Sequence, residues 1–243
     1  MEAAAATQAE GEASAGGGLT DEVIAAVTSH IRTNHLAPGD RLPSETALAT
    51  QLGVSRTVVR EAFGSMAALR LIDVGNGRRA RVSAIDRSVL ALVLDHAVQT
   101  DQISVQQILD VRRTIELRTA ALAALRRDAQ DANAILALAA AMRADFADAP
   151  RVMEHDIAFH EAIARTSKNP MFALVVGSFH VITRQTWPIG WNSRASDVDR
   201  MAAVAGHEAI AAAIAAGNPR AAETAMAEHF DYSVKALLAA GVT

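Results

Sequence analysis

Apolar residues recur every three to four positions along almost the whole chain, the spacing that gathers them on one face of a helix. In "LTDEVIAAVTSHIRTNHL", Val23, Val27 and Ile31 share that register, with Thr20 as the expected N-cap and Pro38-Gly39 beyond the end. Ser44 is placed to cap a short helix that Gly53 ends, and Ser55 to cap a second that runs to Leu69. At "LIDVGNGRRARV" the period changes from helical to alternating, which predicts two short strands around a turn at Asn76-Gly77. Helix, tight turn, helix and hairpin in that order make a winged helix-turn-helix.

After Ser83 the helical pattern continues with short interruptions. It predicts about seven helices: one from Asp86 or Ser88 to about Gln99, one from a Ser104 cap to Arg127, and others over 131–147, 151–166, 170–186, 196–216 and 219–240. The breaks fall at Pro150, Asn169-Pro170, Pro188 with Gly190, and Gly217-Asn218-Pro219. Wide apolar stripes and short connections describe an antiparallel all-α bundle. Residues 1–18, "MEAAAATQAEGEASAGGG", have almost nothing to bury and read as a disordered tail. The expected organisation is mainly α: the tail, a DNA-binding domain over 19–83 and a helical domain over 84–243.

Composition removes several classes of function. Without cysteine, disulfides, thiolate catalysis and cysteine-held zinc are excluded, so any metal must rest on His, Asp or Glu. No apolar run nears the roughly 20 residues of a membrane span, and the N-terminus lacks a signal-peptide pattern. A soluble, cytoplasmic chain without membrane contact is expected. The net charge of −4 is unevenly spread: residues 1–18 carry −3, residues 19–85 carry +2 and residues 86–243 carry −3. Only the helix-turn-helix segment is basic, and nucleic acid responds to local charge.

The helix from Ser55 presents Ser55, Arg56, Thr57 and Arg60 outward and Val58, Val59, Ala62, Phe63 and Met66 inward. Hydroxyls and arginines at a helix start suit phosphates and base edges, and the wing adds Arg78, Arg79 and Arg81. The alternative is a solvated basic face on a structural domain, but cap, glycine turn, basic helix and basic wing coincide here.

Residues 20 to 83 resemble the DNA-binding domain of the GntR superfamily of bacterial transcription regulators. The carrying motifs are Pro-Gly-Asp-x-Leu-Pro-Ser-Glu, Gly-Val-Ser-Arg-Thr and Val-Arg-Glu-Ala, in order and at the family's spacing. The resemblance implies DNA contacts by Ser55, Arg56, Thr57 and Arg60, and by Asn76, Gly77 and Arg78 in the wing. Where many members carry a DNA-reaching arginine this chain has Thr46, so that contact is not carried over.

In the second domain, "MEHDIAFHEAIA" sets Asp156 and His160 four apart on one helix face. His207 and His229 lie about ten residues either side of the Gly217-Asn218-Pro219 turn, each about 15 Å from the bend, and so come level in an antiparallel pair. The four groups suit either one metal ion or ordinary surface and core roles. His30, His35, His96, His155 and His180 read as ordinary.

Residues 86 to 240 resemble the all-helical, metal-containing ligand-binding domain of the FadR branch. The motifs are "VRRTIELRTAALAA" at 111–124, "DIAFHEAIARTSKNP" at 156–170, "GHEAIAAAIAAGNPRAA" at 206–222 and "MAEHF" at 226–230. That resemblance implies one divalent ion per subunit on Asp156, His160, His207 and His229, zinc first, with nickel or manganese as alternatives. One or two coordination positions then remain for water or an effector. Arg112 is implied to face the same cavity as a carboxylate partner, the alternative being an intrahelical pair with Glu116.

An enzyme is not expected, because no His-Glu-x-x-His or paired-carboxylate signature is present and Glu161 points about 100° away from His160. The expectation is a homodimeric regulator of operator DNA, as a repressor, responding to a sugar acid, hydroxy acid or dicarboxylate. A direct metal sensor is the alternative, with a metal-dependent hydrolase behind it.

Overall fold

The computed structural model describes residues 18–75 and 77–242 in full, and the chain divides into two compact units, residues 1–86 and 87–243. The tail expected over residues 1–18 lies outside the fully described residues, apart from Gly18.

The first unit contains α1 (Ala3–Thr33), α2 (Glu45–Leu52), α3 (Arg56–Ala68), β1 (Ile72–Asp73) and β2 (Arg81–Val82). Both expected serine caps form: Ser44 accepts from the Ala47 N–H and Ser55 from the Val58 N–H. Gly53 ends α2 with φ +67°, a conformation that costs glycine little. Thr20 is not the cap of α1, because the backbone is already helical at Gly18 and Leu19, and glycine costs only about 1 kcal/mol relative to alanine in a helix. Val23 and Val27 from α1, Leu48 from α2 and Val59, Phe63 and Met66 from α3 close a small core around Ile72.

The wing is shorter than its alternating sequence suggests. Among the described residues the ladder pairs Ile72 with Val82 and Asp73 with Arg81, and the Arg78 N–H returns to the Gly75 carbonyl at 3.1 Å to close the turn. Gly77 sits at φ +69°, and Asn76 lies outside the described residues. The other edge of β2 is covered by residues 39–42, through Gly39 N–H to Val82 O and Leu42 N–H to Ala80 O, both 2.8 Å. This segment enters through a turn at Pro38-Gly39, with Gly39 at φ +94°, and Pro43 biases Leu42 before it to extended backbone.

The second unit has eight helices rather than seven among the described residues: α4 (Ser88–Gln99), α5 (Val105–Arg126), α6 (Ala129–Ala144), α7 (Ala149–Thr166), α8 (Pro170–Ser178), α9 (His180–Asn192), α10 (Asp197–Ala215) and α11 (Pro219–Ala239). The expected helix over 170–186 is two, because Ser178 and His180 donate to the carbonyls of Val175 and Gly177 and disrupt the ladder at Phe179. Pro188 and Gly190 lie inside α9 instead of ending it. Pro150 falls in the first turn of α7, where its missing N–H has no helical partner to lose. The helix expected over 131–147 begins earlier, because Asp128 and Asp131 form a capping box, and ends at Ala144.

The core lies among α5, α6, α7, α10 and α11, with Met142, Phe159, Ile163, Ile210 and Met226 fully enclosed. α10 and α11 meet at Gly217, φ +67°, and Asn218 caps α11 through the Ala221 N–H. Among the described residues no helix is long and apolar enough to cross a membrane.

Candidate functional site

In the first unit Ser55, Arg56, Thr57 and Arg60 are all exposed along the start of α3, opposite its buried face. The two arginines are not idle. Arg60 donates to Glu45 at 3.0 Å and Arg56 lies 3.8 Å from the same carboxylate, so one acid of α2 holds both guanidinium groups over the helix start. In the wing, Arg78 lies close over Gly75, whereas Arg81 donates to the Gly39 carbonyl at 2.5 Å and is tied to the sheet.

In the second unit the four residues expected to cluster do so. One nitrogen from each of His160, His207 and His229 lies within 4.8 Å of the others. The His207 and His229 ring centres are 4.3 Å apart across the α10–α11 turn, so the two histidines do come level. Asp156 reaches this group from α7: one oxygen is 3.0 Å from His207 Nε2 and the other 3.8 Å from His160 Nε2.

The ring nitrogens are sorted by what lies behind them. His207 Nδ1 faces the Ala203 carbonyl at 2.9 Å, and a carbonyl only accepts, so Nδ1 donates to it and the ring turns Nε2 toward Asp156. That buried Nε2 has no hydrogen-bond partner among the described residues, although it lies against Asp156. His160 Nδ1 donates to Glu116, a completely enclosed carboxylate on α5, and its Nε2 likewise turns toward Asp156. A histidine with one nitrogen fixed by a carboxylate or carbonyl and the other directed at a shared point is the arrangement that metal-ligating histidines have.

Protonation agrees. Burial pushes His229 down, and His207 and His160 push it further, leaving it neutral with a lone pair free at neutral pH. Burial pushes Asp156 and Glu116 up, but His207 and His160 outweigh it for Asp156, and His160 and Arg112 for Glu116, so both stay ionised. For His160 burial lowers the pKa, yet Glu116 and Asp156 raise it overall. Three imidazoles and a carboxylate around one point are borderline ligands that would suit a divalent ion such as zinc, nickel or manganese.

Arg112 forms the intrahelical pair with Glu116 and also faces the cavity. It donates to Glu116 at 2.9 Å and to the Thr183 hydroxyl at 2.7 Å, between the rings of Phe179 and Phe230 at 5.7 and 5.6 Å, and it lines the cavity that holds the four cluster residues. That cavity also takes in Trp187, Trp191 and Arg194, which the sequence pattern misses because Pro188 reads as a break that ends the helix before them. Glu116 is visible in the sequence only as an intrahelical neighbour of Arg112. His155 bonds Asp145 at 2.8 Å, and His180 does not line the cavity.

Comparison with known proteins places both units. The family model of the FCD domain matches residues 107–232, and that of bacterial regulatory proteins of the gntR family matches residues 19–82. The HTH-type transcriptional regulator LutR of Bacillus subtilis (strain 168) is 34% identical over 203 residues, covering 82% of this chain and 92% of the relative. The galactonate operon transcriptional repressor of Escherichia coli (strain K12) is 29% identical over 178 residues, covering 69% and 77%. Among solved structures, Streptococcus agalactiae GntR gives a TM-score of 0.58 at 23% identity, covering 87% of this chain and 97% of that one, a likeness of fold. Two family models in this order, with a relative matched over nearly its whole length, mean that the chain belongs to the gntR family of bacterial regulatory proteins, in its FadR branch, and is a transcription regulator rather than an enzyme.

Proposed function

We propose that the chain is a cytoplasmic, homodimeric repressor whose grip on operator DNA is controlled by a small carboxylate bound beside a divalent metal in the helical domain. The observation that carries the reading is the convergence of Asp156, His160, His207, His229 and Arg112 on one cavity. Asp156 and the three histidines would hold the ion, with Glu116 and the Ala203 carbonyl fixing the tautomers of His160 and His207. A bound ion would supply one or two open positions for a carboxylate or hydroxyl oxygen. Arg112, steadied by Glu116, Thr183 and two aromatic rings, would take the same carboxylate by charge-assisted bonds.

In the dimer, two copies of α3 would read half-sites one helical turn apart. Arg56 and Arg60 would exchange Glu45 for phosphate or guanine, and Asn76, Gly77 and Arg78 would follow the adjacent backbone. The effector must bind one arrangement of the DNA-binding units better than the other, since equal affinity shifts nothing.

A mobility-shift titration on the promoter of the chain's own gene and its neighbours tests this. Release of DNA by a sugar acid, hydroxy acid or dicarboxylate only when metal is present supports the reading. Release by the ion alone would make the chain a direct metal sensor instead.

A further inference from the structure

Two arginines line the cavity of the second unit, Arg112 and Arg194. Arg112 is paired with Glu116, whereas Arg194 makes no ion pair among the described residues. Its Nη1 donates to the Gly190 carbonyl at 2.6 Å and its guanidinium lies 5.2 Å from the Tyr232 ring centre, yet its Nε is buried without a partner among the described residues. It lines the same cavity as Arg112 and the histidine cluster. A cation partly withdrawn from water, with one buried N–H unused, can take a further anionic acceptor.

The cavity wall supplies a scale. Thr183, Thr186, Trp187, Gly190 and Trp191 line it from one face of α9, and Arg194 follows just beyond the end of that helix. Arg112 is bonded at Thr183 and Arg194 folds back to Gly190, so the two guanidinium groups are about 10 Å apart along the helix axis. Subtracting one charge-assisted bond of about 2.8 Å at each end leaves about 5 Å, the reach between the oxygens of a short dicarboxylate. The cavity volume, about 80 Å³, suits a small organic acid rather than a long-chain one.

We infer that the effector carries two carboxylates on a chain of about four or five carbons, the first at the cluster and Arg112 and the second at Arg194. Arg194 would then be the specificity-determining residue that separates dicarboxylates from monocarboxylates. This rests on the proposed binding of the first carboxylate, and a matched pair of probes tells the two apart. Malate and 2-hydroxybutyrate share the hydroxy-acid end and the carbon count and differ only in the far carboxylate.

Calorimetric titration of zinc-loaded protein should show malate binding about tenfold or more tighter than 2-hydroxybutyrate. In Arg194→Gln the malate affinity should fall to that of 2-hydroxybutyrate, which should itself be unchanged within about twofold. Equal affinities in the unaltered protein, or a malate preference that survives Arg194→Gln, would overturn the inference. Failure of the underlying reading looks different, because then neither acid binds and both claims fall. The comparison in the unaltered protein needs no variant, so it stands even if Arg194→Gln folds poorly.

Discussion

The carboxylate of Glu116 accepts hydrogen bonds from both His160 Nδ1 and Arg112 Nε, so one enclosed acid on α5 joins the candidate metal ligand to the candidate effector clamp. Removing its charge while keeping its shape should loosen both. In Glu116→Gln the amide can still accept from one neighbour, but its NH2 opposes a donor on the other side. Zinc affinity, measured by competition with a chromophoric chelator, should fall about 10- to 100-fold. Affinity equal to that of the unaltered protein would show that Glu116 is only a partner for Arg112.

Arg56→Ala and Arg60→Ala should each weaken operator binding, by about 1–3 kcal/mol for every base edge the arginine reads. Both side chains are more than half exposed and their shared bond to Glu45 is at the surface, so melting temperature should move little. Unchanged affinity in a mobility-shift assay for both variants would remove α3 from the DNA interface.

Gly217→Ala addresses the turn that brings His207 level with His229. At φ +67° an alanine is strained, and its Cβ would lie 2.8 Å from Arg127 Nη2, whose guanidinium donates to the Ala215 carbonyl at 3.0 and 2.7 Å. The cost should be about 1–2 kcal/mol, a fall of several degrees in melting temperature by scanning calorimetry. An unchanged melting temperature would contradict this account of the turn.

What is legible in the sequence depends on how local the cause is. Ser44, Gly53, Ser55, Ser104 and Asn218 act within four residues of themselves, and the elements they start or stop can be read directly. The levelling of His207 and His229 follows from helix rise and a turn, and it too is legible. Pro188 misleads because a proline removes only one helical bond, and packing against the cavity carries α9 past it. With α9 cut short, Trp187, Trp191 and Arg194 have no place in the site. Glu116 is half-legible: its pairing with Arg112 is an i,i+4 relation, whereas its bond to His160, 44 residues away, arises only when α5 and α7 pack.

If the histidine cluster holds a metal, the ion sits at the contact between His207 and Asp156. The buried Nε2 of His207 lies 3.0 Å from an Asp156 oxygen and has no hydrogen-bond partner among the described residues, and a cation held between the two would satisfy both. Elemental analysis of protein purified without chelator tests this directly. The account predicts about one divalent metal ion per subunit in the unaltered chain and little in the double variant His207→Ala, His229→Ala, which should still bind operator DNA. Metal-free protein that cannot be loaded with zinc, nickel or manganese, or a full metal content in the double variant, would contradict it.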